Sequence, residues 1–103
     1  MNDAPFIDRA AFERMRVEGD TAVVAFVASW NRRCQAFAAD YVDLARAQQG
    51  RTPVVRVDVD DCPELAGSLD ITSVPTLVVL RQGREIYREA TVDLAELRLR
   101  IGC

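Results

Sequence analysis

Ser29-Trp30-Asn31-Arg32-Arg33-Cys34 is the stretch that decides the fold, because it separates two segments with different hydrophobic patterns. Residues 22–28 before it form an apolar run rich in valine, which is typical of a buried strand. Residues 34–47 after it carry apolar side chains at helical spacing. The sequence therefore predicts a junction between a buried strand and a helix, with Asn31 in a position to cap the helix N-terminus.

The composition fits one small domain over residues 1–103, and half of the residues are hydrophobic. No apolar run approaches the ~20 residues that a membrane span needs. A net charge of −3, with acidic and basic residues interspersed, gives no reason to expect nucleic-acid binding. The first residues lack the features of a signal peptide. We therefore expect a cytoplasmic monomer that binds neither nucleic acid nor membranes.

The three cysteines, Cys34, Cys62 and Cys103, are not spaced as a disulfide framework or a zinc site would require. No two of them form a C-x-x-C pair, and the chain contains no histidine. Histidine is the commonest general base and the commonest metal ligand in proteins. The sequence therefore predicts no metal and no other cofactor.

The remaining elements follow from hydrophobic periodicity and from capping residues. Helices are predicted over residues 9–17 (capped by Asp8), 33–49, a short segment capped by Asp60 or Asp61, and a last segment capped by Asp93. Strands are predicted over residues 21–28, 53–58, 76–81 and 85–91, with a short edge strand near Phe6. We expect strands joined through helices to be parallel and the final hairpin to be antiparallel. The fold class is α/β, a mixed sheet of four or five strands flanked by four helices.

Three stretches in this order of elements resemble the thioredoxin family, and the resemblance covers nearly the whole chain. They are F-V-A-S-W at 26–30, V-D-V-D-D-C at 57–62 and S-V-P-T-L at 73–77. The resemblance implies the thioredoxin fold and a cis bond between Val74 and Pro75; an ordinary trans proline at the start of a strand is the alternative. It also implies that the backbone of Val74 binds an extended substrate segment by strand addition.

The same resemblance implies a site that has lost one of its two thiols. In the family the Trp precedes Cys-x-x-Cys, whose first cysteine attacks a disulfide and whose second resolves the mixed disulfide. Here Asn31 stands at the attacking position and Cys34 at the resolving one, and an amide is no nucleophile for a disulfide. Ala25 replaces a buried Asp, and Thr91 replaces a Gly beside the substrate groove, which predicts a narrower groove.

The candidate site residues carry alternatives that the sequence leaves open. Cys34 is the candidate catalytic monothiol or a buried, inert thiol. Cys62 is a candidate regulatory thiol or a half-exposed small residue, and Arg56 with Asp58 is read as a structural ion pair. The candidate substrate-binding residues are Trp30, Asn31, Arg32, Arg33, Val74, Pro75 and Thr91. For Trp30 the alternative is a core position, and for the two arginines it is a solvated basic pair instead of a preference for acidic partners.

Three functions from different classes follow from these residues. The first is a thioredoxin-like protein that binds protein or peptide partners, including cysteine-bearing ones, with monothiol chemistry at Cys34. The second is a redox-inert peptide-binding or co-chaperone module. The third is an ordinary disulfide reductase, which the sequence disfavours because the expected pair of thiols is missing.

Overall fold

Three helices and four strands alternate along residues 3–90, which are the residues that the computed structural model describes. The helices are α1 (Arg9–Glu18), α2 (Arg32–Ala47) and α3 (Pro63–Ser68), and the strands are β1 (Ala22–Val27), β2 (Val54–Asp58), β3 (Thr76–Arg81) and β4 (Arg84–Glu89). Within these residues no helix is both long enough and apolar enough to cross a bilayer. Thr91, the predicted helix after Asp93 and Cys103 lie outside the described residues.

The ends of α1 are set by the residues that the sequence indicates. The Asp8 carboxylate accepts a hydrogen bond from the backbone N–H of Ala11 at 2.9 Å and so caps the helix. Gly19 follows the last turn with φ +80°, a left-handed conformation that favours glycine. The Asp8 cap agrees with its prediction, and the helix ends at Glu18, one residue beyond the predicted range.

The start of α3 differs from its prediction. The residue at the N-cap is Cys62, which makes no side-chain capping bond, so the prediction of a cap by Asp60 or Asp61 is wrong. The reason is local: the Asp58 carboxylate accepts the backbone N–H of Asp60 at 2.8 Å, and this bond forms a turn before the helix begins. Pro63 occupies the first turn, where no amide donor is needed.

The strands form one mixed sheet in the order β2-β1-β3-β4. β1 and β2 are parallel, whereas β3 is antiparallel to both β1 and β4. The expectation that all strands joined through helices are parallel is therefore wrong for β2 and β3. The six residues of α3 extend about 9 Å, which is too short to return the chain along strands of about 17–20 Å. β3 consequently starts where β1 ends, with Thr76 opposite Phe26.

Both faces of the sheet are covered, as the unbroken apolar run of β1 predicts. All six residues of β1 are buried, and residues 23–27 alternate between two hydrophobic clusters. One cluster lies between the sheet and α2 and includes Tyr41 and Leu44. The other cluster lies between the sheet and α1 with α3, and includes Phe12 and Leu65. Because β1 and β2 are parallel, their carboxyl ends lie at the same edge of this buried sheet, and that edge carries the candidate site.

Two local features outside this edge complete the fold. The short edge strand that the sequence predicts near Phe6 consists of a single parallel bridge to Arg56. β3 and β4 are joined by the tight turn Gln82-Gly83, in which both residues have positive φ, +54° and +76°. A Cβ on Gly83 would lie 3.0 Å from the carbonyl oxygen of Arg16, so the turn needs glycine for its conformation and for space.

Candidate functional site

Asn31 connects the end of β1 to the first turn of α2. Its backbone is extended, and its side-chain oxygen accepts the N–H of Cys34 at 3.0 Å, which is a helix N-cap. The Asn31 N–H donates in turn to the carbonyl of Ala28 at 3.1 Å. The side-chain Nε2 of Gln35 also bridges this turn by donating to the carbonyl of Ser29 at 2.7 Å. The junction is therefore held by hydrogen bonds between residues close in sequence.

Cys34 lies beneath this junction and faces the protein interior. The residue is only 6% exposed, and the backbone N–H of Ala28 donates to its sulfur at 3.5 Å. Burial raises the pKa of the Cys34 thiol, and backbone N–H groups oppose this shift only in part. The thiol is thus held in its neutral, less nucleophilic form near neutral pH.

A groove on the outer side of Asn31, called here the Trp30 groove, has a volume of about 380 Å³. Its lining consists of Trp30, Asn31, Val59, Ile71, Thr72, Ser73 and Val74. Trp30 is 66% exposed, and its indole N–H donates to the Asp60 carboxylate at 2.8 Å. This bond fixes the orientation of a large apolar surface that faces solvent.

The far wall of the Trp30 groove is the loop before β3. The Val74–Pro75 peptide bond is cis. Val74 is half-buried and lines the groove, whereas Pro75 is buried behind it. The Thr76 hydroxyl donates to the carbonyl of Ser73 at 2.7 Å and ties the loop to the start of β3.

Arg32 and Arg33 form the first turn of α2 and are exposed, but neither lines the Trp30 groove. No carboxylate within residues 3–90 forms an ion pair with either of them. Helix N-termini carry a partial positive charge that disfavours cations. The two arginines therefore place two uncompensated charges where the helix itself repels them.

A second cavity, called here the Phe6 pocket, lies on the inner side of the junction and has a volume of about 250 Å³. Its lining consists of Phe6, Val27, Ala28, Ser29, Cys34, Gln35, Phe37, Ala38 and Arg56. It shares no lining residue with the Trp30 groove, and Cys34 belongs to the pocket alone. The only approach to the thiol that these two cavities offer is thus from the inner side.

A family model described as Thioredoxin matches residues 5–98. The chain belongs to the thioredoxin family. It is similar to a thioredoxin of Staphylococcus aureus, with 31% identity over 71 residues, which cover 69% of this chain and 68% of the relative.

Solved thioredoxins have the same fold. A Plasmodium falciparum thioredoxin superposes with a TM-score of 0.84 at 23% identity, covering 94% of this chain and 95% of that one. A mutant thioredoxin from Halobacterium salinarum superposes with a TM-score of 0.83 at 25% identity, covering 97% and 89%. The α/β fold class predicted from the sequence is thereby confirmed.

The structure brings together only part of the set of residues predicted for substrate binding. Trp30, Asn31 and Val74 line one groove, whereas Pro75 is buried and does not line it. Sequence reasoning missed Val59 and Ile71 in the lining, although Val59 directly follows β2 at the same sheet edge and Ile71 lies three residues before Val74. Val59 lies inside the V-D-V-D-D-C stretch at 57–62 and Ile71 lies just before the S-V-P-T-L stretch at 73–77, so both positions carried a signal in the sequence.

Cys62 lies apart from both cavities. It is half-buried at the start of α3 and packs against the hydrophobic cluster under α1 and α3. Within the described part of the chain, no group of three or more potential ligands is arranged to hold a metal. A regulatory role for Cys62 stays a prediction.

The predicted Arg56–Asp58 pair is not formed. The Arg56 guanidinium instead stacks on the Phe6 ring, 4.3 Å from its centroid, and donates to the carbonyl of Ala4 at 2.7 Å. The Asp58 carboxylate accepts the Asp60 N–H and has no contact with the arginine. The pair does not form because Arg56 bonds to the N-terminal segment, whereas Asp58 bonds to the turn after β2.

Proposed function

We propose that this thioredoxin-family protein binds extended segments of protein partners in the Trp30 groove and lacks disulfide reductase turnover. The observation that carries the proposal is which residues stand at the junction between β1 and α2 and how they are bonded there. Asn31, at the position of the family's attacking cysteine, is engaged as the helix cap, and Cys34 is buried beneath it. What the site keeps is a surface for binding, and what it lacks is an exposed thiol.

The shape and chemistry of the groove favour an extended peptide. The Trp30 indole offers a large apolar face held in place by Asp60, and Val59, Ile71 and Val74 extend the apolar lining. Val74 precedes the cis-proline, and in this proposal its backbone pairs with the bound segment as a neighbouring strand would. An extended segment places alternate side chains in the groove, which gives selectivity without chemistry.

Chemistry at Cys34 is limited to one half of the family reaction. A Cys34 thiolate attacking a partner disulfide forms one new S–S bond and releases the other partner sulfur as a thiolate. Without a second thiol beside Cys34, no group of the site attacks the new bond, and the mixed disulfide persists until an external thiol cleaves it. A raised pKa makes even this first step slow at neutral pH.

The charges beside the groove favour acidic partners. Arg32 and Arg33 stand exposed at the start of α2 and have no carboxylate partner within residues 3–90. Their position at the positive end of the helix dipole is unfavourable for stability. A functional reason to retain them is attraction of an acidic segment, which raises the association rate at low salt.

A redox-inert peptide-binding or co-chaperone module is the second candidate, and one observation favours it. Cys34 does not line the Trp30 groove. A partner that occupies the groove therefore reaches the thiol only if the junction rearranges. In this case Cys34 acts as a small core residue, and substitution of its sulfur leaves partner binding unchanged.

The single tryptophan makes the proposal directly testable. Trp30 fluorescence is titrated with an extended acidic–apolar peptide, and saturable changes are expected for the unmodified chain. A Cys34→Ser variant should bind equally if the module is redox-inert, and should lose its slow, thiol-dependent component if monothiol exchange contributes. An absence of binding to any extended peptide, with folding intact, would contradict the groove assignment.

Insulin reduction tests the chemical part. The unmodified chain should show no multiple turnover, and the Asn31→Cys variant should gain activity if the scaffold is otherwise competent. Reduction of several disulfides per molecule by the unmodified chain would overturn the proposal. A cytoplasmic location belongs to the same proposal and is tested by fractionation of cells that produce the chain.

A further inference from the structure

The Phe6 pocket combines an apolar wall with a single cation. Val27, Phe37 and Ala38 form its apolar lining together with the Phe6 ring, and no acidic side chain contributes to it. Arg56 is the charged residue of the lining. The exposed residues Ser29 and Gln35 stand at its mouth, so the pocket is reached from solvent.

The charge on Arg56 has no counter-ion within residues 3–90. Its Nε donates to the carbonyl of Ala4 at 2.7 Å and its Nη2 donates to the carbonyl of Asp3 at 3.4 Å, and both acceptors are neutral. The Asp3 carboxylate is paired with Arg46 at 2.9 Å instead. A guanidinium has five N–H donors, so several are left after these two bonds.

The neighbouring strand does not supply the missing charge. Ala25 is the cross-strand partner of Arg56 in the register between β1 and β2, and it is fully buried. Directly paired side chains in a sheet are close enough to interact, so an acidic residue at this position would neutralise the guanidinium. With alanine there, the positive charge is available to a molecule that enters the pocket.

We propose that the Phe6 pocket is a binding site for a small carboxylate with an apolar body of about ten non-hydrogen atoms. The size follows from proportion, since a cavity of roughly 150 Å³ holds benzene and this one has about 250 Å³. The guanidinium of Arg56 binds the carboxylate, for which its planar donors are suited. The apolar body lies against Val27, Phe37 and Ala38.

This ligand would also control access to Cys34. The thiol lines the Phe6 pocket and not the Trp30 groove, so a bound molecule covers the approach to its sulfur. Occupancy of the pocket therefore protects Cys34 from small alkylating reagents. Peptide binding in the Trp30 groove is independent of this protection, because the two cavities share no lining residue.

Octanoate and octanamide are a matched pair of probes, since they have the same number of heavy atoms and differ in charge. Each is titrated into the unmodified full chain while backbone amide signals are followed by NMR. Octanoate should give saturable shifts at Ala28 and Ala38, and octanamide should bind about tenfold more weakly, because a neutral amide forms weaker hydrogen bonds to a guanidinium than a carboxylate does. Saturating octanoate should slow iodoacetamide labelling of Cys34 but not of Cys62.

Variants assign the effect to its residues. Arg56→Met should reduce octanoate affinity about tenfold, Arg56→Lys should retain most of it, and Ala38→Leu should abolish binding of both probes by filling the pocket. Arg51→Met is the control, since Arg51 is an exposed arginine that lines a different cavity. Arg56 also holds the N-terminal segment, and if Arg56→Met does not fold, the comparison of octanoate with octanamide on the unmodified chain decides the role of charge.

Three outcomes would overturn the proposal. They are the absence of saturable shifts with millimolar octanoate, shifts centred on Trp30 and Val74 instead of the pocket, and equal affinity for octanoate and octanamide.

Discussion

Replacement of Asn31 by alanine is expected to lower the free energy of unfolding by about 1 kcal/mol, within the 0.5–2 kcal/mol range of N-cap removals. The Asn31 side-chain oxygen accepts the Cys34 N–H at 3.0 Å at a part-buried position, so alanine leaves this donor without its partner. α2 has sixteen residues and supplies much of one hydrophobic cluster, so fraying of its first turn disturbs the core. For a domain of this size the melting temperature should fall by about 4–8 °C.

Urea unfolding followed by circular dichroism measures this change through the midpoint and the slope. Asn31→Ser and Asn31→Asp are the matched controls, because both keep an oxygen acceptor at the cap. Both should stay within a few tenths of a kcal/mol of the unmodified chain or, for aspartate at a helix N-terminus, exceed it. An alanine variant as stable as the unmodified chain would refute the capping argument, and so would equal destabilisation by serine and aspartate.

The Asn31→Cys variant loses the same amide acceptor at the start of α2. A thiol is a weaker hydrogen-bond acceptor than an amide oxygen. The variant should therefore unfold at a lower urea concentration while it gains an exposed thiol. Asparagine at this position therefore gives the stronger helix cap.

Four further predictions concern stability and ionisation. Arg33→Glu should raise the melting temperature, by an effect of about 0.5–1 kcal/mol that salt weakens, because it replaces a cation with an anion at a helix N-terminus. Gly83→Ala should destabilise the fold by more than about 1 kcal/mol in urea titrations, whereas Gly67→Ala, in a helix with open space around it, should be neutral or stabilising. Tyr41→Phe should cost about 1–2 kcal/mol, since its buried hydroxyl donates to a β2 carbonyl at 2.7 Å; an unchanged unfolding midpoint would show that the bond is dispensable. Burial raises the pKa of the Cys34 thiol above its usual range, so its contribution to stability is complete below the pKa of the unfolded thiol and is lost as the pH rises through the raised pKa. The free energy of unfolding, measured by urea titration at a series of alkaline pH values, should accordingly fall less steeply with pH for Cys34→Ala than for the unmodified chain.

Local rules predicted most elements because their signals lie within a few residues. The Asp8 cap and the unbroken apolar run of β1 each depend on neighbouring positions, and both are found in the structure. The cap of α3 is the exception. Three acidic residues lie close together before this helix, and the one that bonds in the turn is Asp58, whose carboxylate accepts the Asp60 N–H. Which of several equivalent donors and acceptors pair is a question of geometry that composition does not answer.

The sequence by itself determined the fold family and the capping role of Asn31, since motif and cap both lie along one short stretch of chain. Tertiary structure alone decided the direction of β3, through the length of α3, and the side from which Cys34 is approached. The Phe6 pocket joins residues from the N-terminal segment, the start of α2 and β2. Contacts among segments so distant in the chain leave no periodic pattern, and they exist only once the sheet and its helices have packed.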